Sequence, residues 1–305
     1  MIRNKGVVLI FVMVFTTAIS LLSLFMQSKS KNYIENFADI QKNLEIENMA
    51  EMGIEIGKIL IDRRKGTLNT TGEESRKEIY YDMPDIMLHI IISDENAKIN
   101  PNKIFDREKK ETNSLLMEVY KNFFAVMGYT EVLSDSLLDW IDEDDIPRAA
   151  GAEYFHYKTS GFPYVPPNRN LYGTKELLLV KNFSKDIVLG NSKEKIPALI
   201  DFITSFSDGK INVNSCPPEI LGAFGFSSGE AEKIVREREK RPLEERFLTE
   251  TNRDVYIRNR NIMIFKSRYF LIRSIAVKSN GQEREMRAYV KKTDKVIETT
   301  RIEIE

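Results

Sequence analysis

The chemistry in this chain concentrates between Leu137 and Tyr157 (LLDWIDEDDIPRAAGAEYFHY). Asp139, Asp142, Glu143, Asp144 and Asp145 crowd seven positions, and Glu153 follows a loop holding Pro147, Arg148 and Gly151. Carboxylates this dense repel one another unless water or a cation neutralises them. Hard oxygen donors on an irregular loop suit calcium, which accepts about six to eight oxygens in flexible geometry. EF-hand spacing is absent, and a helix C-terminus running into a solvated acidic loop accounts for the same residues without a metal. Paired carboxylates acting as acid and base would be an enzymatic reading. Neither a candidate nucleophile nor a phosphate-binding loop accompanies them.

The elements that must position this loop show in a repeat. Lys98-Ile99-Asn100-Pro101-Asn102 returns 112 residues later as Lys210-Ile211-Asn212-Val213-Asn214. A helical pattern follows each copy, at 114–127 and 218–224. A Gly-containing turn and a second helix come next, at 133–141 and 230–240. Two copies of one helical unit therefore flank the acidic loop, each with the rhythm of a helix-hairpin-helix or SAM-like module. Helix-hairpin-helix modules bind DNA through a tight Gly-h-Gly turn with basic residues nearby. Here Gly225-Phe226-Ser227-Ser228-Gly229 lacks the close glycine pair. Residues 229–254 carry seven basic side chains against eight acidic ones, the balance of a solvated face and not of a phosphate track. The formal net charge of −1 adds no global basic field. His89 and His156 lie far apart without zinc spacing, and the single cysteine, Cys216, excludes an intramolecular disulfide.

The N-terminus sets the location. Residues 7–26 are twenty positions without a charge, about 30 Å of helix, the thickness of a bilayer's hydrocarbon core. A secretory signal's apolar region is shorter, roughly 7–15 residues. Ser28-Lys29-Ser30 nevertheless offers a small-x-small cleavage site and keeps a removed signal peptide in view. Gly6 sits ahead of the apolar run behind a short basic leader, so a cut after Gly6 would leave the helix on the mature chain from Val7. Beyond the membrane, Tyr33, Phe37, Ile40, Leu44, Met49, Met52, Ile56 and Ile59 form one apolar stripe on a charged helix. Unbroken over 7–62, that helix would be about 84 Å long. The polar stretch 66–74 reads as its end, and 86–93 as a buried strand. Three strand-forming runs close the chain at 268–278, 282–292 and 296–305, the first two joined by an Asn280-Gly281 hairpin turn. Tyr269, Leu271, Ile275 and Val277 share one face of the first run.

Taken together, DWIDEDDIPRAAGAE, then Pro163-Tyr164, Pro166 and Pro167-Asn168, then TKELLLVKNF and INVNSCPPEIL, resemble general secretion pathway protein K, the large minor pseudopilin of type II secretion. The resemblance runs from the Gly6 leader to the terminal strands. It implies an α+β fold: a long N-terminal transmembrane and amphipathic helix and a pilin-like antiparallel sheet. A large inserted α-helical domain with two SAM-like or helix-hairpin-helix-like units completes it. The implied divisions are a leader at 1–6, a transmembrane helix at 7–26, its amphipathic continuation at 27–64 and the start of the pilin-like domain at 65–97. The inserted domain follows at 98–254, with units at about 98–145 and 210–245, and then the C-terminal sheet at 255–305.

The same resemblance implies calcium, with Asp142, Asp144, Asp145 and Glu153 as ligands, although Tyr154 stands where the family often has a further acidic residue. It implies cleavage by the prepilin peptidase between Gly6 and Val7. Phe11 would be the fifth mature residue, where most pilins carry a Glu that meets the N-terminal amine of a neighbouring subunit; its loss suits the first subunit of a filament. The implied partners are the minor pseudopilins of I and J type, the major pseudopilin, the prepilin peptidase and the inner-membrane assembly platform, with no nucleic acid. The chain would sit in the inner membrane of a diderm bacterium, N-terminus cytoplasmic and C-terminal domain periplasmic, as a structural part and not an enzyme. A membrane-anchored helix-hairpin-helix DNA receptor and a membrane-anchored hydrolase are the competing classes.

Overall fold

The computed structural model describes residues 3–63, 76–109, 111–294 and 296–304. The first element, α1 (Arg3–Arg63), is a single helix of 61 residues, about 92 Å long. Its segment Val7–Ile34 is long and apolar enough to cross a membrane, and none of its most apolar window is buried. The polar stretch expected to end the helix at 66–74 lies outside the described residues.

Five antiparallel strands follow the order of the chain across one sheet: β1 (Arg76–Asp82), β2 (Ile86–Asp94), β3 (Tyr269–Lys278), β4 (Glu283–Lys292) and β5 (Ile297–Ile304). The hairpin between β3 and β4 closes at Gly281, whose φ of +85° is open to glycine. The second half of α1 packs on the sheet through Ile46, Ala50, Ile54 and Ile61. These are not the residues of the apolar stripe, of which Tyr33, Phe37, Ile40, Leu44, Met52 and Ile59 are exposed. The difference comes from how closely helix and sheet approach. A Cβ built on Gly53 would lie 2.0 Å from Ser274 Oγ, and one on Gly57 2.6 Å from Ile272 Cγ2. The buried face therefore sets isoleucines among the small residues Ala50, Gly53 and Gly57, which a hydrophobicity pattern undervalues. On β3 the same closeness puts Phe270, Ile272, Ser274 and Ala276 under the helix, while Tyr269, Leu271, Ile275 and Val277 take the opposite face.

Between β2 and β3 the chain leaves the sheet and builds a helical domain: α2 (Ser114–Val126), α3 (Glu131–Ile141), α4 (Tyr154–Thr159), α5 (Lys185–Leu189), α6 (Pro218–Phe224), α7 (Ser228–Arg238), α8 (Glu245–Thr251) and α9 (Arg253–Asn259). The repeat survives in its hydrogen bonds. Asn100 Oδ1 accepts from the Asn102 N–H, and Asn212 Oδ1 from that of Asn214. Asn102 Oδ1 accepts from the Leu171 N–H at 2.7 Å, and Asn214 Oδ1 from the Leu243 N–H at 2.7 Å. The two units share one core, in which Phe123, Phe124, Ile220, Leu221 and Phe224 are buried.

The domain boundary expected at 254 falls later. Val255, Tyr256, Ile262 and Met263 belong to the helical core, and Met263–Ile264 pairs in parallel with Ile211–Asn212. The sheet resumes only at Tyr269. Both junctions are at one end of the sheet, because Asp94 pairs with Phe270. That end is fixed on α1 by Lys292, next to the Arg268 carbonyl, whose Nζ donates to the Ile61 and Asp62 carbonyls. Lys278, at the opposite end of β3, reaches Lys42 and Glu45. The insertion thus leaves the sheet at the end far from the membrane segment.

Asp94 ties the junction together. Its carboxylate accepts from Ser215 Oγ and Ser267 Oγ, both at 2.5 Å, and from the Asn96 N–H at 2.9 Å. Complete burial pushes its pKa up to about 6 even though these donors pull the other way.

Candidate functional site

The acidic loop starts where α3 runs out. Asp139 and Asp142 are one turn apart, which places both on one face of the helix end. Glu153 stands at the N-cap of α4. Single oxygens of Asp139, Asp142 and Glu153 lie within 4.8 Å of one another. All three residues are buried, with 0%, 5% and 3% of their surface exposed.

The loop is strapped against α3 to hold this arrangement. The Ala150 N–H donates to Asp135 Oδ2 at 3.3 Å, and Lys181 Nζ donates to the Gly151 carbonyl at 3.0 Å. A Cβ on Gly151 would fall 1.8 Å from Asp139 Oδ2, so only glycine lets the loop close over that carboxylate. Trp140 stands behind the site, its Nε1 donating to Glu176 Oε1 at 2.9 Å and its ring tilted against Tyr157.

One cation is already present. Arg148 Nη1 donates to Asp139 Oδ1 at 2.6 Å and to Asp142 Oδ2 at 2.5 Å, while the Arg148 N–H donates to Asp139 Oδ2 at 3.1 Å. One guanidinium cannot balance three buried carboxylates. Asp142 Oδ1, Glu153 Oε1 and Glu153 Oε2 are buried without a hydrogen-bond partner among the described residues. Burial, then the charges of Asp139 and Asp142, push the Glu153 pKa up to about 8. Burial also raises that of Asp142 despite the Arg148 hydrogen bond.

Three unpartnered, buried oxygens of Asp142 and Glu153, beside the Asp139 carboxylate held by Arg148, fit a hard divalent cation. The α3 C-terminus adds its negative dipole end.

Of the four expected ligands, the fold brings Asp142 and Glu153 together. Asp144 and Asp145 are exposed; Asp144 Oδ1 accepts from the Ile146 N–H in a local turn, and Asp145 Oδ1 from Asn168 Nδ2. The third carboxylate is Asp139, which the crowding included but the ligand set omitted. Its signal was the three-residue step to Asp142 within an otherwise apolar helix end. The N-terminal residues lie elsewhere. Gly6 is within α1, Val7 is exposed, and Phe11 is 74% exposed on the lipid-length segment.

Residues 97–190, which contain the whole carboxylate site, match the family of type II secretion system (T2SS) protein K. In fold this chain is similar to a chain of the crystal structure of the GspK-GspI-GspJ complex from the enterotoxigenic Escherichia coli type 2 secretion system. The TM-score is 0.58 at 15% identity, over 91% of this chain and 99% of that one. No curated protein matches it by sequence. The chain thus carries a segment similar to that family, and its N-terminal helix is long and apolar enough to cross a membrane.

Proposed function

We propose that this chain is a minor pseudopilin that caps the tip of the periplasmic pseudopilus, in company with minor pseudopilins of I and J type. The observation that carries the reading is the position of the insertion. Both its ends leave the sheet beside Ile61 and Asp62, opposite the membrane segment of α1. A helical domain there obstructs a further subunit stacking above, whereas the sides of α1 stay open. Tyr33, Phe37, Ile40 and Leu44 are exposed along that open length and suit helices of neighbouring subunits.

Phe11 supports the same reading. Where most pilins carry Glu, this chain has an aromatic side chain that cannot accept the charge of a neighbour's N-terminal amine, and a first subunit has no need to. The precursor would be held in the inner membrane with the N-terminus cytoplasmic and the folded part periplasmic. The prepilin peptidase would cut it after Gly6, and the assembly platform would extract it. Calcium would be held by Asp142, Glu153 and Asp139, neutralising the loop that closes the inserted domain. The test of capping is cysteine crosslinking from Phe37 and Leu44. Crosslinks to minor pseudopilins alone are expected; crosslinks to the major pseudopilin along the filament would refute the cap.

A further inference from the structure

We propose that Arg148 sets the charge of the carboxylate site so that it accepts one divalent cation in preference to a trivalent one. The inference rests on the cation reading above and adds a residue that no ligand set contains. Asp139, Asp142 and Glu153 bring three negative charges into a buried space. Arg148 returns one positive charge through two ion pairs, at 2.6 Å to Asp139 and 2.5 Å to Asp142. With all three carboxylates ionised the remainder is two negative charges, which a divalent ion cancels.

The oxygens divide in the same way. Arg148 uses Asp139 Oδ1, Asp139 Oδ2 and Asp142 Oδ2 through its side chain and its own N–H. It leaves Asp142 Oδ1 and both Glu153 oxygens without a partner among the described residues. Guanidinium and metal therefore bind different atoms of the same carboxylates and coexist. Arg148 is built to stay: its guanidinium lies over the Phe105 ring, 5.8 Å from the centroid. Asp144 and Asp145 stand in solvent, where their charge is screened. Lys181 is spent on the Gly151 carbonyl.

A fixed positive charge a few ångströms from the ion penalises a trivalent ion more than a divalent one. Its removal should therefore raise the ratio of terbium(III) to calcium affinity by roughly tenfold or more. The experiment measures both affinities by titration calorimetry and terbium luminescence on the full chain in detergent, for the wild type, Arg148→Gln and Arg148→Lys. The expected result is a raised ratio in Arg148→Gln and a wild-type ratio in Arg148→Lys. If Arg148 instead occupied the metal's place, its loss would raise both affinities by one factor. An unchanged ratio in Arg148→Gln overturns the proposal, as does a raised ratio in Arg148→Lys, the variant that decides the matter if Arg148→Gln does not fold. A wild type that binds neither ion would overturn the cation reading itself, an outcome distinct from a wild type that binds both with a ratio insensitive to residue 148.

Discussion

Gly53 offers the sharpest test of how α1 is seated. In an exposed helix interior, Gly→Ala stabilises by about 0.5–1 kcal/mol, because alanine has less backbone freedom to lose. At position 53 the new methyl would lie 2.0 Å from Ser274 Oγ, 3.0 Å from Ser274 Cβ and 3.2 Å from Leu88 Cδ1. Overpacking of this kind costs about 1–3 kcal/mol, so the helix gain is outweighed and Gly53→Ala should lose about 1–2 kcal/mol net. For a folded part of this size that is a fall in melting temperature of about 2–8 °C. Ser274 Oγ is buried with no hydrogen-bond partner among the described residues. Ser274→Ala therefore removes the closest clash without breaking a visible bond, and should recover most of the loss in the double variant. Gly229, early in α7, is the control: a Cβ added there meets nothing within 4 Å, and Gly229→Ala should be neutral or stabilising. Thermal melts of the detergent-solubilised wild type and variants decide it. A Gly53→Ala chain as stable as wild type, or a double variant no better than the single, would refute the close approach.

Folding stability should fall as pH rises from about 4 to about 6 at Asp94. Its folded pKa of about 6 exceeds the ordinary 3.8, so over that window the folded state binds the proton more tightly. Urea titrations across pH should show that slope, and Asp94→Asn should flatten it. Glu285 works in the opposite direction. Arg273 and Arg287 pull its pKa down to about 2 against burial, so its stabilisation is present above the ordinary 4.5 and is lost as pH falls toward about 2; Glu285→Gln should remove that acid-limb dependence. Calcium should raise the melting temperature by the linkage RT ln(1 + [L]/Kd), and Glu153→Gln should abolish the rise; superimposable curves with calcium and with chelator would count against the site. Gly6→Val should leave uncut precursor, whereas intact mass of the wild type should show a chain beginning at Val7; a mature start near Lys31 would indicate a signal peptide instead.

The elements with strong periodicity were legible in the sequence. The strand at Ile86 and the three C-terminal strands lie within a residue of their expected places, and the long helix ends within a residue of its expected end but begins at Arg3, inside the expected leader; each carries an apolar or β-branched pattern longer than its ends are uncertain. The strand Arg76–Asp82 was not legible. It is an edge strand with charge at both ends, and pairing with β2, not its own composition, makes it extended. The boundary near 254 was missed because residues 236–254 look like surface, while α9 is buried through only Val255, Tyr256 and Asn259. In the site, crowding pointed to the right loop but not to the right atoms. Which carboxylates turn inward depends on Gly151 and on the strap from Lys181, contacts between residues that sequence spacing does not bring together. Asp144 and Asp145 sit just beyond the end of α3, and the chain has already turned them out to water.

The pairing of Asp94 with Phe270 has a consequence for how such a chain can change. Strands β1 to β5 form one uninterrupted meander, and the inserted domain occupies the position of an ordinary hairpin turn within it. A turn can lengthen by any amount while the strands on either side keep their register, since closing a longer loop adds only about 0.6 kcal/mol for each doubling of its length. The crown of the molecule and its shaft are thus separable in design: one can be enlarged, trimmed or exchanged with no residue of the α1–sheet interface having to move.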